Sequence, residues 1–590
     1  MKQRAWISAM GCVWGRVGCA IGLCASVASA QEPPTEPPSE PAPPPPAPAQ
    51  PPPLLSDEAW AELEAYTESA LVAFDVPGAA LALIQDGQIQ RVGTFGVLGV
   101  DDPAPVDEET RFMIGSVTKS MTTTLAATLV SEGRLEWDDP VSDYLPSFAL
   151  SNSDWTPLVR IRDALGHTSG VPRSDLSLFI DFHRPMGLIE SVADIPAVTA
   201  PGERFEYQNQ VFAVGGFALA RAAGARNRND DLASTYERLM QRRVFNPLRM
   251  RRTTFDFQAA IRDDNHAFPH AMDAATAGAG SIAIGHERFA LPVAPAGAVW
   301  SSITDMARYL AMHLREGVSV DGARLVSASA LEETHTAQTV LEGSTGYGLG
   351  WGVSEGPLGK VLAHGGGTAG FISQVVGAPS VDYGWVILTN SIDGIRLVSA
   401  VGRHLSELVF GLPPQGDADL VAAHAEQEAG LAQFLSTLAP VDADSVADYL
   451  GRYERRLTLS HEADELVVGT VYGELRFKAV PEQEGLFFCT TNFLLGAPAQ
   501  LATDEQGRAK FSIGFGVENG ALVNPIIAAR LGDERPRHPG HPHGKPHGKP
   551  HGVAAAQRAF DWRQLANARR SNDAPDHLEF SRRFSGPGLQ

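Results

Sequence analysis

The stretch Gly115-Ser116-Val117-Thr118-Lys119 stands at the start of an apolar run in which Met121 and Leu125 recur at helical spacing. This spacing predicts a helix with one buried face. Ser116 and Lys119 are three positions apart, so a helix makes them neighbours. A serine hydroxyl becomes a nucleophile when a nearby group takes its proton, and a lysine can do this when burial lowers its pKa. Taken alone, the pattern also fits a serine at a helix N-terminus beside a solvated lysine.

A second candidate segment, residues 201–209, reads Pro-Gly-Glu-Arg-Phe-Glu-Tyr-Gln-Asn. If the segment is extended, Tyr207 and Asn209 point to the same side of the chain. A phenol can accept or relay a proton, and an amide can orient Lys119 or a substrate. The alternative is a core tyrosine followed by a turn asparagine.

A third candidate segment, His364-Gly365-Gly366-Gly367, closes a predicted strand. Glycines allow a substrate backbone to lie close against a strand edge. The N–H of Gly367 would then face a developing oxyanion, with the N–H of Ser116 opposite. The alternative is a glycine-rich turn after a strand.

In this order, the motifs Ser-x-x-Lys, Tyr-x-Asn and His-x-Gly resemble those of the serine β-lactamase and penicillin-binding-protein superfamily. The resemblance is greatest to its class C-like branch, which contains carboxylesterases, DD-peptidases, D-aminopeptidases and class C β-lactamases. It covers residues 57–410 and includes further stretches at 165–170, 246–250, 295–297 and 347–351. Any one stretch is weak, whereas the ordered combination is specific.

The resemblance implies a role for each motif residue. Ser116 is the acylated nucleophile, and Lys119 and Tyr207 share the base and acid roles, with the dominant one left open. The Ser116 amide contributes to an oxyanion hole. Support for the lysine and contacts to the substrate or its oxyanion come from the remaining positions: Asn209, His364, Gly366 and Gly367. No cofactor is implied, and no metal in the catalytic domain.

The last motif departs from the pattern of typical β-lactamases of this branch. Those enzymes have Lys-Thr-Gly where this chain has His364, Gly365 and Gly366. The missing lysine and threonine remove donors that would hold a substrate carboxylate. This favours an ester, or an amide that depends less on such a carboxylate, over a penicillin. DD-peptidases stay open, because some of them have a histidine at this position.

The elements around the motifs predict the fold class. Apolar periodicity predicts a helix over 57–74, two strands joined by a turn at Asp86-Gly87, and a helical stretch over 111–219. Later segments predict three strands and a final helix: 361–364, 371–376, 385–389 and 398–410. This order predicts an α+β fold of the β-lactamase and transpeptidase type, with an antiparallel sheet flanked by helices and an all-helical subdomain.

The remaining segments predict the domain organisation. Residues 1–30 combine a basic start, an apolar run too short to span a bilayer comfortably, and small residues at a cleavage site, so they predict a signal peptide. Proline-rich residues 31–55 predict an extended linker. The serine hydrolase domain then covers 56–412, followed by a linker over 413–440 and a small all-β domain over 441–533. The leader predicts a periplasmic or secreted protein without a transmembrane span in the mature chain.

The tail over 534–590 has low complexity, repeats His-Gly-Lys-Pro and is expected to be disordered. A weak divalent-metal site is one reading of its histidines, and a flexible polar tail is the other: His541, His543, His547 and His551. The formal net charge of −22 argues against nucleic-acid binding, which needs a basic face. Outside the predicted leader Cys489 is the sole cysteine, so the mature chain has no intrachain disulfide.

Together these observations predict an exported serine hydrolase that acts through a Ser116 acyl-enzyme on esters or amides, as an esterase, a D-amino-acid peptidase or a β-lactamase-like enzyme. The expected partner is a small-molecule or peptide substrate, with cell-wall-derived substrates among the candidates. The alternative is a non-catalytic cell-envelope binding protein on the same scaffold. An α/β-hydrolase lipase, suggested by His-Gly-Gly-Gly, is disfavoured because the sequence has no Gly-x-Ser-x-Gly.

Overall fold

A computed structural model describes residues 51–531 with several gaps. The gaps fall at 176, 179–183, 225–231, 274–277, 357, 482, 492–493, 506, 515–516, 519–520 and 523–525. The predicted leader, most of the proline-rich linker and the histidine-containing tail therefore lie outside the described residues. Among the described residues, none of the helices has the length and apolar character needed to span a bilayer.

The α-helices are α1 (Asp57–Ala73), α2 (Thr118–Ser131), α3 (Val141–Tyr144), α4 (Ile161–Leu165), α5 (Pro185–Ser191), α6 (Asn209–Ala222), α7 (Leu232–Met240), α8 (Phe257–Arg262), α9 (Ala294–Gly297), α10 (Ile303–Leu314), α11 (Ala328–Thr334), α12 (Gly394–Phe410), α13 (Ala418–Ser436) and α14 (Ala443–Val446). The first strands are β1 (Gly78–Gln85), β2 (Gln88–Gly99), β3 (Asp102–Pro105), β4 (Phe112–Met113), β5 (His270–Met272), β6 (Ala279–Ser281), β7 (Trp300–Ser301), β8 (Thr339–Glu342), β9 (Thr345–Tyr347), β10 (Gly352–Gly356), β11 (Gly359–Gly367), β12 (Ile372–Ala378) and β13 (Tyr383–Thr389). The later strands are β14 (Gly451–Arg452), β15 (Thr458–Glu462), β16 (Glu465–Gly469), β17 (Glu474–Ala479), β18 (Leu486–Cys489), β19 (Pro498–Thr503), β20 (Ala509–Ile513), β21 (Val517–Glu518), β22 (Ala521–Leu522) and β23 (Ile526–Ala529).

The main sheet is antiparallel and has, within the described residues, the strand order β3-β2-β1-β13-β12-β11-β10-β9-β8. Every residue of β1 is buried, because both faces of the sheet are covered. The side chains of Ala80, Ala82 and Ile84 join one apolar core, with α10. Leu81 and Leu83 join the other, with α1 and α12. The period of two in a strand therefore divides β1 between two cores.

The helical subdomain is built around α2, which contacts α6 and α9. The residues of α2 from Thr118 to Leu129 are buried, so the helix is enclosed on all sides. Close packing at α6 requires a glycine, because a Cβ at Gly216 would lie 2.2 Å from the Cβ of Pro295. The strand β11 contacts the turn Gly115–Val117 at the start of α2, so Ser116 lies between the main sheet and the helical subdomain.

A second antiparallel sheet follows, with the order β14-β15-β16-β17-β18-β19-β20-β23 within the described residues. Its apolar core includes three residues of the preceding part of the chain, Ala271, Ile282 and Ala369, so the β domain packs against segments that lie beside the main sheet. The fold class predicted from the sequence, α+β with a small all-β C-terminal domain, is confirmed.

Two predicted boundaries differ from the structure. The segment 413–440, expected to be a linker, contains the helix α13. This helix is ordered by packing, since Phe434 meets Phe488 edge to face with ring centroids 5.0 Å apart. The linker expected to end at residue 55 also ends earlier, because Leu55 is buried and the Pro52 carbonyl accepts a hydrogen bond from Gln85.

Candidate active site

Ser116 and Lys119 meet where a 3₁₀ turn, Gly115–Val117, leads into α2. The Lys119 Nζ lies 2.9 Å from the Ser116 Oγ. It also donates to the Asn209 Oδ1 at 2.6 Å and to the Ala296 carbonyl at 2.8 Å. Ser116 is half-buried, whereas Lys119 is fully buried. The sequence prediction that these two side chains are neighbours therefore agrees with the geometry.

The ammonium of Lys119 is held in an environment that disfavours its charge. Burial is the largest cause and lowers the pKa of Lys119 well below its usual value. The carboxylate of Asp175 acts in the opposite direction, and the guanidinium of Arg173 lowers the pKa further. A lysine of this kind loses its proton at a lower pH than an ordinary lysine does, and the neutral amine can then accept a proton from a hydroxyl.

Asn209 connects this lysine to an ion pair in which Asp175 is buried and Arg173 is half-buried. Its Nδ2 donates to the Asp175 Oδ1 at 2.7 Å, while its Oδ1 accepts from Lys119. The other oxygen of Asp175 accepts from the Arg173 guanidinium. Because both ends of the amide are engaged, its orientation is fixed. Asn209 is the first residue of α6, and its N-cap Gln208 has extended backbone, so the expected extended segment ends where this helix begins.

Tyr207 lies over the same lysine. The Lys119 Nζ is 4.8 Å from the centroid of its ring, and the Arg173 guanidinium carbon is 5.3 Å from that centroid. The ring thus lies beside two basic side chains, and its electron-rich face attracts the charge of Arg173. Tyr207 and Asn209 consequently both face Lys119, as predicted, and Gln208 between them has extended backbone, with φ of −138° and ψ of 111°.

The imidazole of His167 packs against the ring of Tyr207. The two rings lie 4.2 Å apart between centroids, and the His167 Nδ1 accepts from the Gln208 N–H at 3.1 Å. The backbone of His167 has φ of 61°, a value that side-chain-bearing residues seldom adopt. Burial lowers the pKa of His167 well below its usual value. The residue is thus a neutral spacer beneath the Tyr207 ring.

His364 is buried at the cleft end of β11, where both of its ring nitrogens are engaged. Its Nε2 lies 3.0 Å from the Tyr347 hydroxyl and its Nδ1 lies 2.6 Å from the Gly365 carbonyl. A carbonyl accepts only, so Nδ1 carries the proton and Nε2 accepts from the tyrosine. Burial, with a contribution from Lys119, lowers the pKa of His364 to about 3. The imidazole is therefore neutral at physiological pH.

The backbones that precede Ser116 and follow His364 touch each other. Gly115 has φ of +49°, and a Cβ built on it would lie 2.7 Å from the Gly367 nitrogen. A Cβ on Gly366 would lie 2.0 Å from the Ile114 carbonyl oxygen, which also accepts from the Ser373 hydroxyl at 2.8 Å. Only glycines permit this approach, and it brings the Ser116 and Gly367 segments side by side.

The sequence profile of the Beta-lactamase family matches residues 64–401, more than half of the chain. This chain belongs to the Beta-lactamase family. Its place in the serine β-lactamase and penicillin-binding-protein superfamily, predicted from the three ordered motifs, is confirmed.

Two named proteins and one solved structure are similar to this member of the Beta-lactamase family. Penicillin-binding protein 4 of Amycolatopsis lactamdurans is 28% identical over 328 residues, which make up 53% of this chain and 81% of the relative. Unguisins hydrolase ungD of Aspergillus violaceofuscus is 25% identical over 517 residues, or 78% of this chain and 87% of the relative. The solved structure of an octameric penicillin-binding protein homologue from Pyrococcus abyssi shares the fold, with a TM-score of 0.51 and 22% identity, over 80% of this chain and 99% of that one.

Several residues at the site of this Beta-lactamase family member were not indicated by the motifs. Asp175 and Arg173 approach Asn209 and Tyr207 from a loop, and their short stretch has no spacing that marks them. The Ala296 group that meets Lys119 is a backbone carbonyl, which no side-chain pattern reveals. Tyr347 does begin one of the supporting stretches, at 347–351, and that position was the available signal.

A possible metal-binding group lies elsewhere, where Asp75, His424 and Glu428 place ligand atoms within 4.8 Å of one another. The His424 Nε2 is 3.6 Å from the Asp75 carboxylate and 3.4 Å from that of Glu428. The Arg396 guanidinium lies 3.3 Å from Nδ1 and can only donate, so the imidazole proton is on Nε2. That tautomer favours an N–H between two carboxylates over a metal ligand. The predicted tail histidines, His541, His543, His547 and His551, lie outside the described residues.

Proposed function

We propose that this Beta-lactamase family member is an exported serine hydrolase that forms an acyl-enzyme on Ser116 with esters or amides. One observation carries the proposal: a fully buried lysine amine lies 2.9 Å from the Ser116 hydroxyl. Burial favours the neutral amine, which is the form that can take the hydroxyl proton. The proposal also agrees with the ordered motifs and with a relative named as a hydrolase.

The reaction follows from the groups around Ser116. Its Oγ attacks the substrate carbonyl carbon while its proton moves to the neutral Lys119 Nζ. The N–H groups of Ser116 and Gly367 stabilise the oxyanion that forms. The C–O or C–N bond then breaks, and the leaving group takes a proton through Lys119 and Tyr207, which share this role. Water releases the acyl group by the same steps in reverse order.

The strand side of the cleft supports a substrate without an essential carboxylate. Recognition of a carboxylate is strongest where charged donors form short hydrogen bonds to it. His364 stands in place of the lysine of typical β-lactamases, and it is neutral with both nitrogens engaged. We therefore propose as the preferred substrates neutral acyl esters, or amides whose binding does not require a salt bridge to a carboxylate.

An active-site probe tests the proposal. A fluorophosphonate is expected to label the wild-type protein once per chain, and Ser116→Ala is expected to abolish labelling while the protein stays folded. The matched control is Ser120→Ala, one turn along α2, which should retain labelling. If folded wild type is not labelled, the chain is a binding protein on a hydrolase scaffold and the proposal fails.

The proton-transfer roles have their own test. Lys119→Ala and Tyr207→Phe are each expected to lower the turnover of p-nitrophenyl esters by about 10² to 10⁴-fold, the range for a lost proton-transfer group. Wild-type activity should rise from neutral to mildly alkaline pH, because Lys119 must lose its proton. Near-wild-type rates in either variant, or a flat profile between about pH 5 and 9, would contradict the roles.

Export is part of the proposal and rests on the predicted leader at 1–30. The chain expressed in a Gram-negative host is expected to lose this segment, and the N-terminal sequence of the purified protein should begin near Gln31. An intact Met1 terminus in a protein recovered from the cytoplasm would contradict export without bearing on catalysis.

A further inference from the structure

A buried carboxylate lies behind the strand that bears Gly367. Glu287 belongs to the 3₁₀ segment Ile284–Val293 and has no solvent exposure. Its Oε1 accepts from the Gly370 N–H at 2.8 Å and its Oε2 accepts from the Ala369 N–H at 3.3 Å. The hydroxyl of Thr368 also hydrogen-bonds to it. One side chain thus holds three consecutive residues.

These three residues form the turn that follows Gly367 directly. The Thr368 N–H donates to the Phe371 carbonyl at 3.0 Å, and the Phe371 N–H donates back to the Thr368 hydroxyl at 3.1 Å. The turn has little room to move, because a Cβ on Gly370 would lie 2.4 Å from the Cβ of Pro269. Its buried N–H groups need acceptors, and Glu287 supplies them.

The segment that contains Glu287 also reaches the catalytic lysine. The helix α9 follows it without a break, and the carbonyl of Ala296 in α9 accepts from Lys119. A shift of Glu287 would therefore disturb the cleft from two sides. The carboxylate contacts one wall through the turn after β11, and its own backbone continues into the other wall.

The C-terminal β domain packs against the same place. The ring of His286 lies against Gly473, where a Cβ would come within 2.5 Å of its Cε1 atom. Ala369, in the turn held by Glu287, belongs to the apolar core of the β domain. The turn after Gly367 is consequently enclosed between the Glu287 carboxylate and that domain.

From this geometry we infer that Glu287 is a positioning residue, whose carboxylate fixes the turn 368–371 and thereby the Gly367 amide at the oxyanion site. The inference rests on the proposed function, because an oxyanion site has meaning only in a hydrolase. The chemistry of the carboxylate is required, since a glutamine would turn an N–H group toward one of the two backbone donors.

Burial makes the carboxylate unfavourable in itself, and it raises the pKa of Glu287 to about 7 against the lowering effect of its hydrogen bonds. Half or more of the molecules nevertheless carry the charge above that pH. A buried acid without a use for its charge would be replaced by an apolar residue at little loss. At Glu287 the charge is used to accept hydrogen bonds from the three donors of the turn.

The test compares Glu287→Gln with Glu407→Gln. Glu407 is a matched control because it is also buried and accepts a backbone N–H, that of Gln415, at 2.8 Å. It lies in α12, whose core is on the other face of the main sheet. With a p-nitrophenyl ester, Glu287→Gln is expected to lower kcat about 10 to 100-fold with little change in KM, part of the effect of losing an oxyanion donor. Glu407→Gln should stay within about twofold of wild type.

Each outcome decides one claim. If wild type neither labels with fluorophosphonate nor turns over ester, the proposed function fails first. If wild type is active and Glu287→Gln keeps its kcat, the positioning role is overturned and the hydrolase stands. If Glu287→Gln does not fold, Glu287→Asp replaces it, which sets the carboxylate back by one methylene. This variant should have a lower kcat, while the ester concentration that halves fluorophosphonate labelling of Ser116 stays unchanged. An unchanged kcat would again overturn the role.

Discussion

A methyl group at position 366 tests the close approach of β11 to the nucleophile. In Gly366→Ala the new Cβ would lie 2.0 Å from the Ile114 carbonyl oxygen and 2.5 Å from the Ser373 Oγ. Real Cβ atoms do not come within 3.0 Å of such neighbours, so the backbone must open by about 1 Å. Ile114 is two residues before Ser116, and Gly366 is one before Gly367, so the opening separates the two proposed oxyanion donors.

The displacement sets the expected size of the effect. A misplacement of about 1 Å at a catalytic constellation can lower the rate by about 10²-fold. Overpacking a close contact also lowers the free energy of unfolding by about 1–3 kcal/mol. We therefore expect kcat/KM for a p-nitrophenyl ester to fall about 100-fold in a protein that remains folded in urea titrations.

Gly356→Ala is the control for this prediction. It lies at the end of the neighbouring strand β10, and a Cβ there meets nothing within 4 Å. Its activity should match wild type. Should Gly366→Ala keep kcat/KM within about threefold of wild type, the cleft can absorb the methyl group and the reasoning about the tight Ile114 contact is wrong.

Three further predictions concern ionisable groups. Asp175→Asn removes the negative charge that favours the Lys119 ammonium, so the pKa of Lys119 falls and the acidic limb of the kcat/KM profile should move to lower pH; an alkaline shift would contradict this. Burial raises the pKa of Glu287 to about 7 from 4.5, so the native state binds the extra proton and its free energy of unfolding falls as pH rises from about 4.5 to 7. Guanidinium unfolding at both ends of that window should show that wild type loses roughly 3 kcal/mol more than Glu287→Gln does over the same rise in pH. Burial also raises the pKa of the Cys489 thiol to about 12, so iodoacetamide at pH 8 should modify Cys489 only after unfolding, and rapid labelling of native protein would count against its burial.

The parts of the structure that are local in sequence were predictable. The short apolar run of β1 before the turn at Asp86-Gly87 and the helical spacing around Ser116 identify these elements, because each depends on neighbours a few residues away. The pairing of Ser116 with Lys119 follows from the same spacing. The sequence also predicts that Tyr207 and Asn209 face the same side, and both contact Lys119, although no local pattern indicates that a helix begins at Asn209.

The parts that depend on distant contacts were not predictable. Asp175 meets Asn209 across 34 residues and Glu287 meets Gly370 across 83, and no periodicity links such positions. The helix α13 was missed because its sequence has little separation of apolar and polar faces, and its order depends on Phe434 reaching Phe488 of the β domain. Long-range packing decides such elements more than their own composition does.

One partner of the Lys119 amine belongs to the main chain. The oxygen of residue 296 is present whatever amino acid occupies that position, so a point substitution can shift it but cannot delete it. Substitutions of the side chains around Lys119 therefore leave this hydrogen-bond acceptor in place. A laboratory search for new substrate preferences can therefore vary the side chains around the proposed base, because part of its hydrogen bonding comes from the main chain.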